Sequence, residues 1–254
     1  MNGAFYIGAT GLQAQQRALD VVANNITNMN TAAFKRAEVR FSELVGPSRA
    51  ADDPALSSVA AASLLGVAAD GSAKVFAQGE LRETGSPMDL AIAGDGFIEL
   101  LGPAGETVLW RGGALKVNED GFLAASNGLP LKAMISVPTE ATGLAIDRSG
   151  EVRASVPGAT EAESIGRIEL VTVKDASALT GIDGGLYKAS SDADIVPPGE
   201  ESAAAIVQGS LELSNVELSE EMVALMMMQR AYAASAQIVQ AGDQLMGIAN
   251  GLKR

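Results

Sequence analysis

The sequence contains no cysteine and no histidine among its 254 residues. Without cysteine no disulfide can form, so redox chemistry does not indicate the compartment. Zinc ligands are reduced to carboxylates, and a serine or cysteine nucleophile has no histidine to activate it. We therefore expect no metal, no cofactor and no catalytic residues, so the protein is not expected to be an enzyme.

Basic residues and long apolar runs are also scarce. There are 18 Lys and Arg against 31 Asp and Glu, a net charge of −13, and the densest basic spot is Lys35-Arg36 with Arg40 nearby. Such a surface repels nucleic acid, which is not an expected partner. No run approaches the roughly 18 apolar residues of a membrane span, and MNGAFYIGATGLQAQQ resembles no signal peptide. We expect either a cytosolic protein or one exported by a specialised machine, with no cleaved signal and no membrane insertion.

Both ends of the chain have a seven-residue apolar period. Near the start it runs through Phe5, Leu12, Leu19 and Ile26, with a companion row at Gly8, Gln15, Val22 and Met29. Near the end it runs through Leu218, Leu225, Tyr232, Val239 and Met246, after the cap signals Ser214, Asn215 and Ser219 and the acids Glu220 and Glu221. This spacing predicts two long helices with coiled-coil-like seams. The two helices are expected to pair with each other inside one molecule, and apolar residues outside the seams favour further packing between subunits.

The middle of the chain alternates short apolar runs with glycine. Turn pairs occur at Asp70-Gly71, Asp95-Gly96, Asp120-Gly121, Asn127-Gly128, Ser149-Gly150 and Asp183-Gly184. Such pairs supply the positive φ angles of tight hairpins, so a domain of many short strands is expected. The segment Gly94-Asp95-Gly96 is interpreted as a hairpin turn, and Trp110 as a half-buried strand residue.

The predicted fold class is α+β, with long helices at both ends, a central all-β domain and an extended arm. The predicted boundaries are 1–45 for the N-terminal helix and turn, 46–86 for the arm, 87–207 for the β-domain and 208–254 for the C-terminal helix. A second break falls at 190–202.

The stretch ANNITNMNTAAFKR, residues 23–36, places four asparagines where the first helix is expected to end. Asparagine favours caps and turns, and its amide both donates and accepts hydrogen bonds. The cluster predicts a helix stop, a contact with a neighbouring subunit, or both.

This stretch resembles the N-terminal signature of the flagellar rod and hook family of axial proteins. The matching residues are Ala23, Asn24, Asn25, Asn28, Thr31, Phe34, Lys35 and Arg36, and Ala33 stands where the family usually has glycine. The segment QGSLELSNVELSEEMVALMMMQRAY resembles the closing signature, and MDLAIAGDGFIEL the strand that opens the β-domain. The resemblance favours a rod protein of the distal type, with the proximal-rod or a hook-type protein as the alternative. A carbohydrate-binding or hydrolytic β-domain is the alternative from another class.

The resemblance implies a structural subunit that leaves the cell through the flagellar type III export apparatus and polymerises into the periplasmic drive shaft. Its partners would be copies of itself, neighbouring rod and hook proteins, the export apparatus and the ring bushings. The residues expected at the assembly interface are Leu12, Leu19, Val22, Asn24, Asn25, Ile26, Asn28, Thr31, Phe34, Lys35, Arg36, Asn215, Leu218, Met222, Leu225, Gln229, Tyr232, Val239 and Met246. Lys35 and Arg36 are expected to pair with acids of a neighbour, so Lys35→Ala is expected to have a mild effect.

Overall fold

The computed structural model describes residues 2–45, 64–103, 105–158, 162–176, 179–182, 185–189, 195–196 and 204–251. The chain forms two compact units. One comprises residues 1–27, 37–73 and 217–254, and the other comprises residues 28–36 and 74–216. The α+β class is confirmed. The boundaries differ from those expected, because 28–36, 74–86 and 208–216 all belong to the β-rich unit.

The first unit contains the two predicted helices, α1 (Asn2–Thr27) and α2 (Leu218–Gly251), which pack against each other. It also contains most of a two-stranded sheet formed by β1 (Ala37–Val45) and β2 (Leu64–Lys74). Residues 64–74, expected in an arm, are thus a strand, and Asp70-Gly71 lies inside it instead of at a hairpin turn. Gly71 still has a φ of 75°, so the glycine supplies a positive φ within an irregular strand. Residues 46–63 lie outside the described part.

The second unit contains the many short strands that the glycine-punctuated middle predicts. They are β3 (Leu81–Glu83), β4 (Asp89–Ala93), β5 (Phe97–Leu101), β6 (Thr107–Trp110), β7 (Gly112–Val117), β8 (Leu123–Ala125), β9 (Gly143–Ile146), β10 (Glu151–Ser155), β11 (Glu163–Arg167), β12 (Leu170–Val173), β13 (Leu179–Ile182), β14 (Leu186–Ala189), β15 (Ile195–Val196), β16 (Ala205–Gln208) and β17 (Ser210–Glu212).

These strands form four antiparallel sheets. Their orders are β13-β14-β6-β5-β12-β15, β16-β4-β7-β8, β11-β10-β9 and β17-β3. Asp120-Gly121 and Ser149-Gly150 do join paired strands, β7 with β8 and β9 with β10, as predicted. Gly94-Asp95-Gly96 is a turn but not a hairpin, because β4 and β5 belong to different sheets. Asp183-Gly184 and most of 190–202 lie outside the described residues.

The main core of this unit lies between the sheets and is largely aliphatic, with Leu90, Ile92, Leu100, Leu123 and Ile206 fully buried. Trp110 is only 3% exposed and is part of that core, so the expectation of a half-buried position is wrong. A smaller aromatic cluster joins Phe76, Phe97 and Tyr187, whose rings meet edge to face at 5.1–5.8 Å. Among the described residues, no helix is long and apolar enough to span a membrane.

Candidate assembly interface

Helices α1 and α2 run antiparallel, as three contacts along them demonstrate. Asn25 Nδ2 donates to Glu221 Oε1 at 3.2 Å, and Gln15 Nε2 donates to Ser235 Oγ at 3.1 Å. At the far end Gly8 faces Val239, where an added Cβ would lie 2.6 Å from the valine Cγ2. A side chain at position 8 would therefore push the helices apart.

The buried stripe of α1 follows one of the two predicted rows. Gly8 and Val22 are buried and Gln15 is half-buried, whereas Leu12, Leu19 and Ile26 of the other row are only half-buried. Beside the row of Gly8 lie Ala18 and Asn25, seven residues apart and both buried. The hydrophobic pattern alone predicts that Leu12, Leu19 and Ile26 form the other row of the contact, which is wrong, because small residues and one amide occupy that line. We therefore describe the helices as an antiparallel pair.

Asn25 is the amide that fixes the end of α1, and it is 1% exposed. Its Oδ1 accepts a hydrogen bond from the Ala37 backbone N–H and its Nδ2 donates to the Ala37 carbonyl, both at 2.9 Å. Nδ2 also reaches the carboxylate of Glu221 in the first turn of α2. One side chain thereby joins α1, the start of β1 and the start of α2. Asn24, its neighbour in sequence, is exposed.

The outer faces of α2 are apolar and exposed. Leu218, Met222, Val223, Met226, Met227, Tyr232, Ile238 and Ile248 each expose more than a third of their surface, with Met227 the highest of them at 64%. Gln229 is also exposed, whereas Leu225 and Val239 are half-buried against the rest of the unit. The side chain of Met246 lies outside the described part. Exposed apolar residues in this number are a mark of surfaces that bind other proteins.

The FKR motif belongs to the β-rich unit. Thr31 is exposed and its Oγ1 donates to Asn28 Oδ1 at 3.2 Å, closing a turn after α1. Ala33 follows with a φ of 56°, a left-handed conformation that explains why glycine would suit this position. The half-buried ring of Phe34 lies 4.3 Å from the ammonium of Lys74.

Lys35 is fully buried in a cluster of three charges. Its Nζ lies 2.5 Å from Glu212 Oε1 and donates to the Ala77 carbonyl at 2.9 Å. Arg111 Nε donates to the other carboxylate oxygen, Oε2, at 3.0 Å. Burial lowers the pKa of Lys35 from its ordinary value, and the Glu212 carboxylate offsets part of that effect. The expected pairing of Lys35 with an acid of a neighbouring subunit is wrong, because its acid is Glu212 of the same chain.

The remaining groups of this cluster are also paired. The Gly79 backbone N–H donates to Glu212 Oε1 at 2.9 Å, and the Arg111 guanidinium donates to the carbonyls of Gly94 and Gly96, each at 2.6 Å. Buried ions need such complete pairing to be tolerated. Arg111 and Glu212 were not predicted as partners of Lys35, although Glu212 lies in the closing signature.

Asn215 ties the same two signatures together through the backbone. Its Oδ1 accepts from the Arg36 N–H at 2.7 Å, and its Nδ2 donates to the carbonyls of Val75 and Ala77 at 2.8 and 3.0 Å. Asn215 was predicted to face a neighbouring subunit. It instead links residues 34–36 to residues 75–77 within the unit, and Arg36 itself is half-buried.

The segments joined by these contacts coincide with three family models. The "Flagella basal body rod protein" model matches residues 5–35, the "Flagellar hook protein FlgE/F/G D1 domain" model matches 91–154, and the "Flagellar basal body rod FlgEFG protein C-terminal" model matches 207–252. Lys35 and Glu212 thus lie in the first and last of these matches, which are also the two terminal signatures.

Full-length relatives agree with the family models. The chain is 32% identical to the flagellar basal-body rod protein FlgG of Borreliella burgdorferi, with all of both chains covered. It is 31% identical to FlgG of Caulobacter vibrioides, over 98% of this chain and 99% of that one. It is 30% identical to FlgF of Caulobacter vibrioides, over 94% and 93%. Matched at both ends and in the middle, and aligned over its whole length with such relatives, the chain belongs to the flagellar basal-body rod protein family.

Proposed function

We propose that this protein is a structural subunit of the flagellar rod, of the distal-rod type, and that it polymerises through its two terminal helices. The exposed apolar surface of α2 carries this proposal. Met222, Met226 and Met227 each expose about half or more of their surface, which a single copy leaves in water. Burying these side chains between copies provides the driving force for a polymer, because apolar area removed from water is the main favourable term in association.

The subtype rests on the relatives. The FlgG chains are 28–32% identical to this one over 96–100% of it, and the FlgF chain is 30% identical over 94% of it. The greater coverage by the FlgG chains favours the distal-rod type and keeps the proximal-rod type as the alternative. Family membership decides against the hydrolytic β-domain considered from the sequence, because the family is a structural one.

The two compact units of the chain would have different roles in the rod. The helical unit has the exposed apolar surface and would form the axial core, together with Leu12, Leu19, Leu225 and Val239 on its flanks. The β-rich unit has its own aliphatic core and would face outward toward the ring bushings. Export without a cleaved signal, passage through the type III apparatus and a position in the periplasmic rod complete the proposal.

Basal bodies from a strain that makes a tagged copy as its sole source of this protein test the proposal. Cryo-electron microscopy is expected to locate the tag on the rod surface below the hook, and mass spectrometry of the rod chain is expected to find the N-terminus uncleaved. Absence of the chain from basal bodies that are otherwise complete contradicts the proposed function. A position beside the inner-membrane ring favours the proximal-rod alternative.

A further inference from the structure

The helical unit contains an apolar cavity of about 550 Å³. Its described lining residues include none of the assembly residues predicted from the sequence. Ile7 and Gly11 of α1, Gly66 of β2, and Ser235 and Ile238 of α2 contribute to its lining. Its volume falls in the range of about 300–1,000 Å³ that is typical of ligand sites. Ligand sites also present several placed polar groups, whereas among the described lining residues the one polar side chain, Ser235, already accepts a hydrogen bond from Gln15. The lining therefore suits apolar side chains better than a small metabolite.

Gly11 leaves this cavity open although no described residue would clash with a side chain at that position. At Gly8 an added Cβ would clash with Val239, and at Gly66 it would lie 2.2 Å from Thr10 Oγ1. At Gly11 it would meet nothing within 4 Å. Glycine in a helix costs roughly 1 kcal/mol relative to alanine, so Gly11 weakens α1 without relieving any internal contact.

The exposed side chains of α2 offer apolar groups of matching chemistry. Val223 and Met227 are one turn apart, and Met222 and Met226 form the row beside them, all exposed. Methionine is unbranched and flexible, so it fills irregular apolar cavities well. Met227 precedes Ile238 at the cavity by eleven residues of the same helix, which is about 16 Å along its axis. The methionines therefore cannot enter the cavity of their own chain.

The distribution of charge favours another copy of the same chain as the partner. The protein carries a net charge of −13, so most of its surface repels a second copy. The surfaces in question are exceptions: residues 2–16 contain no charged side chain, and residues 222–242 contain only Arg230. Copies can approach each other through these two segments without bringing acids together.

We propose that Met226 and Met227 of one copy insert into the cavity beside Gly11 of the next copy. The inference rests on the proposed function and names the contact through which α2 would assemble. Because the inserting surface and the receiving cavity are different parts of the chain, the contact is heterologous. A heterologous contact that does not close into a ring generates an open helical filament.

Cross-linking provides a direct test, because the chain has no cysteine of its own. A Gly11→Cys, Met227→Cys double variant is introduced as the sole copy in a flagellated strain, and isolated basal bodies are treated with a short bis-maleimide. A heterologous contact is expected to give a ladder of dimers, trimers and larger multimers on a denaturing gel. The control pair Gly11→Cys, Lys116→Cys, with an exposed residue of β7, is expected to give no ladder.

Motility separates failure of this inference from failure of the proposed function. If the chain is present in basal bodies and the cells swim, but the double variant gives no ladder, the contact is wrong and the rod assignment stands. Cross-links from position 11 to a chain of different mass, or only within one chain, also overturn the contact. Absence of the chain from basal bodies overturns the proposed function itself.

A second variant fills the cavity without removing any apolar group. Gly11→Leu is expected to raise the thermal stability of the helical unit, because leucine is a better helix former than glycine and its side chain fills an apolar cavity. It is nevertheless expected to abolish swimming, because the leucine side chain occupies the space into which Met226 and Met227 of the next copy would insert. Gly143→Leu is the control, since Gly143 of β9 is exposed, clear of neighbours within 4 Å and outside both helices. Normal swimming of Gly11→Leu, or equal loss of swimming in both variants, contradicts the proposal.

Discussion

Lys35 and Glu212 are 177 residues apart in the sequence, yet the Nζ of one lies 2.5 Å from the carboxylate of the other. Their side chains are 0% and 1% exposed. The pair joins the two terminal signatures of the family inside the β-rich unit. From the sequence, Lys35 was expected to lie at the interface between subunits. Its ion pair instead lies inside the β-rich unit, to which residues 28–36 belong.

The first prediction reverses the mild effect expected of Lys35→Ala. Removing one partner of a buried ion pair costs about 3–5 kcal/mol. We expect Lys35→Ala near the lower end, because Arg111 still neutralises Glu212. We expect Glu212→Gln near the upper end, because it leaves two buried cations without an anion. Urea unfolding followed by the fluorescence of the single Trp110, which lies in the same unit, measures both.

An exposed ion pair of the same length serves as the control for this prediction. Lys188 Nζ lies 2.5 Å from Glu106 Oε2, with the two side chains 55% and 42% exposed. Exposed pairs contribute about 0–1 kcal/mol, so Lys188→Ala is expected to change the unfolding free energy by no more than that. Equal losses in Lys35→Ala and Lys188→Ala would show that burial does not strengthen the first pair.

The second prediction separates the two adjacent asparagines. Asn25→Ala removes the hydrogen-bond partner of both the N–H and the carbonyl of Ala37. Each buried polar group left without a hydrogen bond lowers the stability by about 1–3 kcal/mol. We expect this variant to lose swimming and to lose hydrogen-exchange protection at the start of β1. Asn24→Ala, at an exposed position, is expected to retain both. Normal swimming of Asn25→Ala would mean that the helical unit does not depend on this amide.

Local chemistry in the sequence predicts the elements of this fold well. The periods of seven locate both helices, and the glycine pairs at 120–121 and 149–150 locate real hairpins. Element type follows from side-chain pattern and turn residues within a few positions, which is information the local sequence contains. Strand β2 was not predicted, because residues 64–74 are rich in alanine and glycine and lack a clear alternation.

The partners of the site residues could not be predicted in the same way. Burial of Lys35 depends on Glu212 and Arg111, which reach it only through the order of strands in the sheets. The choice between Leu19 and Ala18 as the buried residue of α1 depends on how closely α2 approaches, which Gly8 determines by lacking a side chain. One feature of the sequence could have indicated the pair, since the first terminal signature contains Lys35 and the closing one contains Glu212.

The third prediction concerns Ala33, where the family usually has glycine. Its φ of 56° costs an ordinary residue roughly 1–2 kcal/mol. Ala33→Gly removes that strain but loses a buried methyl group, so we expect a change within about 1 kcal/mol. Ala33→Val adds a β-branched side chain in the same conformation and is expected to destabilise the β-rich unit by at least about 2 kcal/mol. Thermal unfolding of the two variants measures the difference, and a stable valine variant would contradict the left-handed conformation.

The fourth prediction concerns alkaline pH. Burial, with a smaller contribution from the charge of Glu212, raises the pKa of Tyr187 above its ordinary value. A group whose pKa is higher in the folded state contributes stability that is complete below its unfolded pKa, about 10, and is lost as the pH rises further. The Tyr187 hydroxyl makes only a long hydrogen bond of 3.5 Å to the Ala33 carbonyl. Tyr187→Phe is therefore expected to cost no more than about 1 kcal/mol at pH 7.

Above pH 10 the order of the two chains is expected to change. The unchanged chain should lose up to about 1.4 kcal/mol per pH unit relative to Tyr187→Phe, because its unfolded state releases a proton that the folded state retains. Lys35 and Lys74, whose pKa values burial lowers, are present in both chains, so their opposite pH dependence cancels in the difference. Urea unfolding of both chains from pH 8 to pH 11 measures this difference. Parallel curves would mean that Tyr187 is accessible to solvent and that the aromatic cluster beside the FKR motif is open.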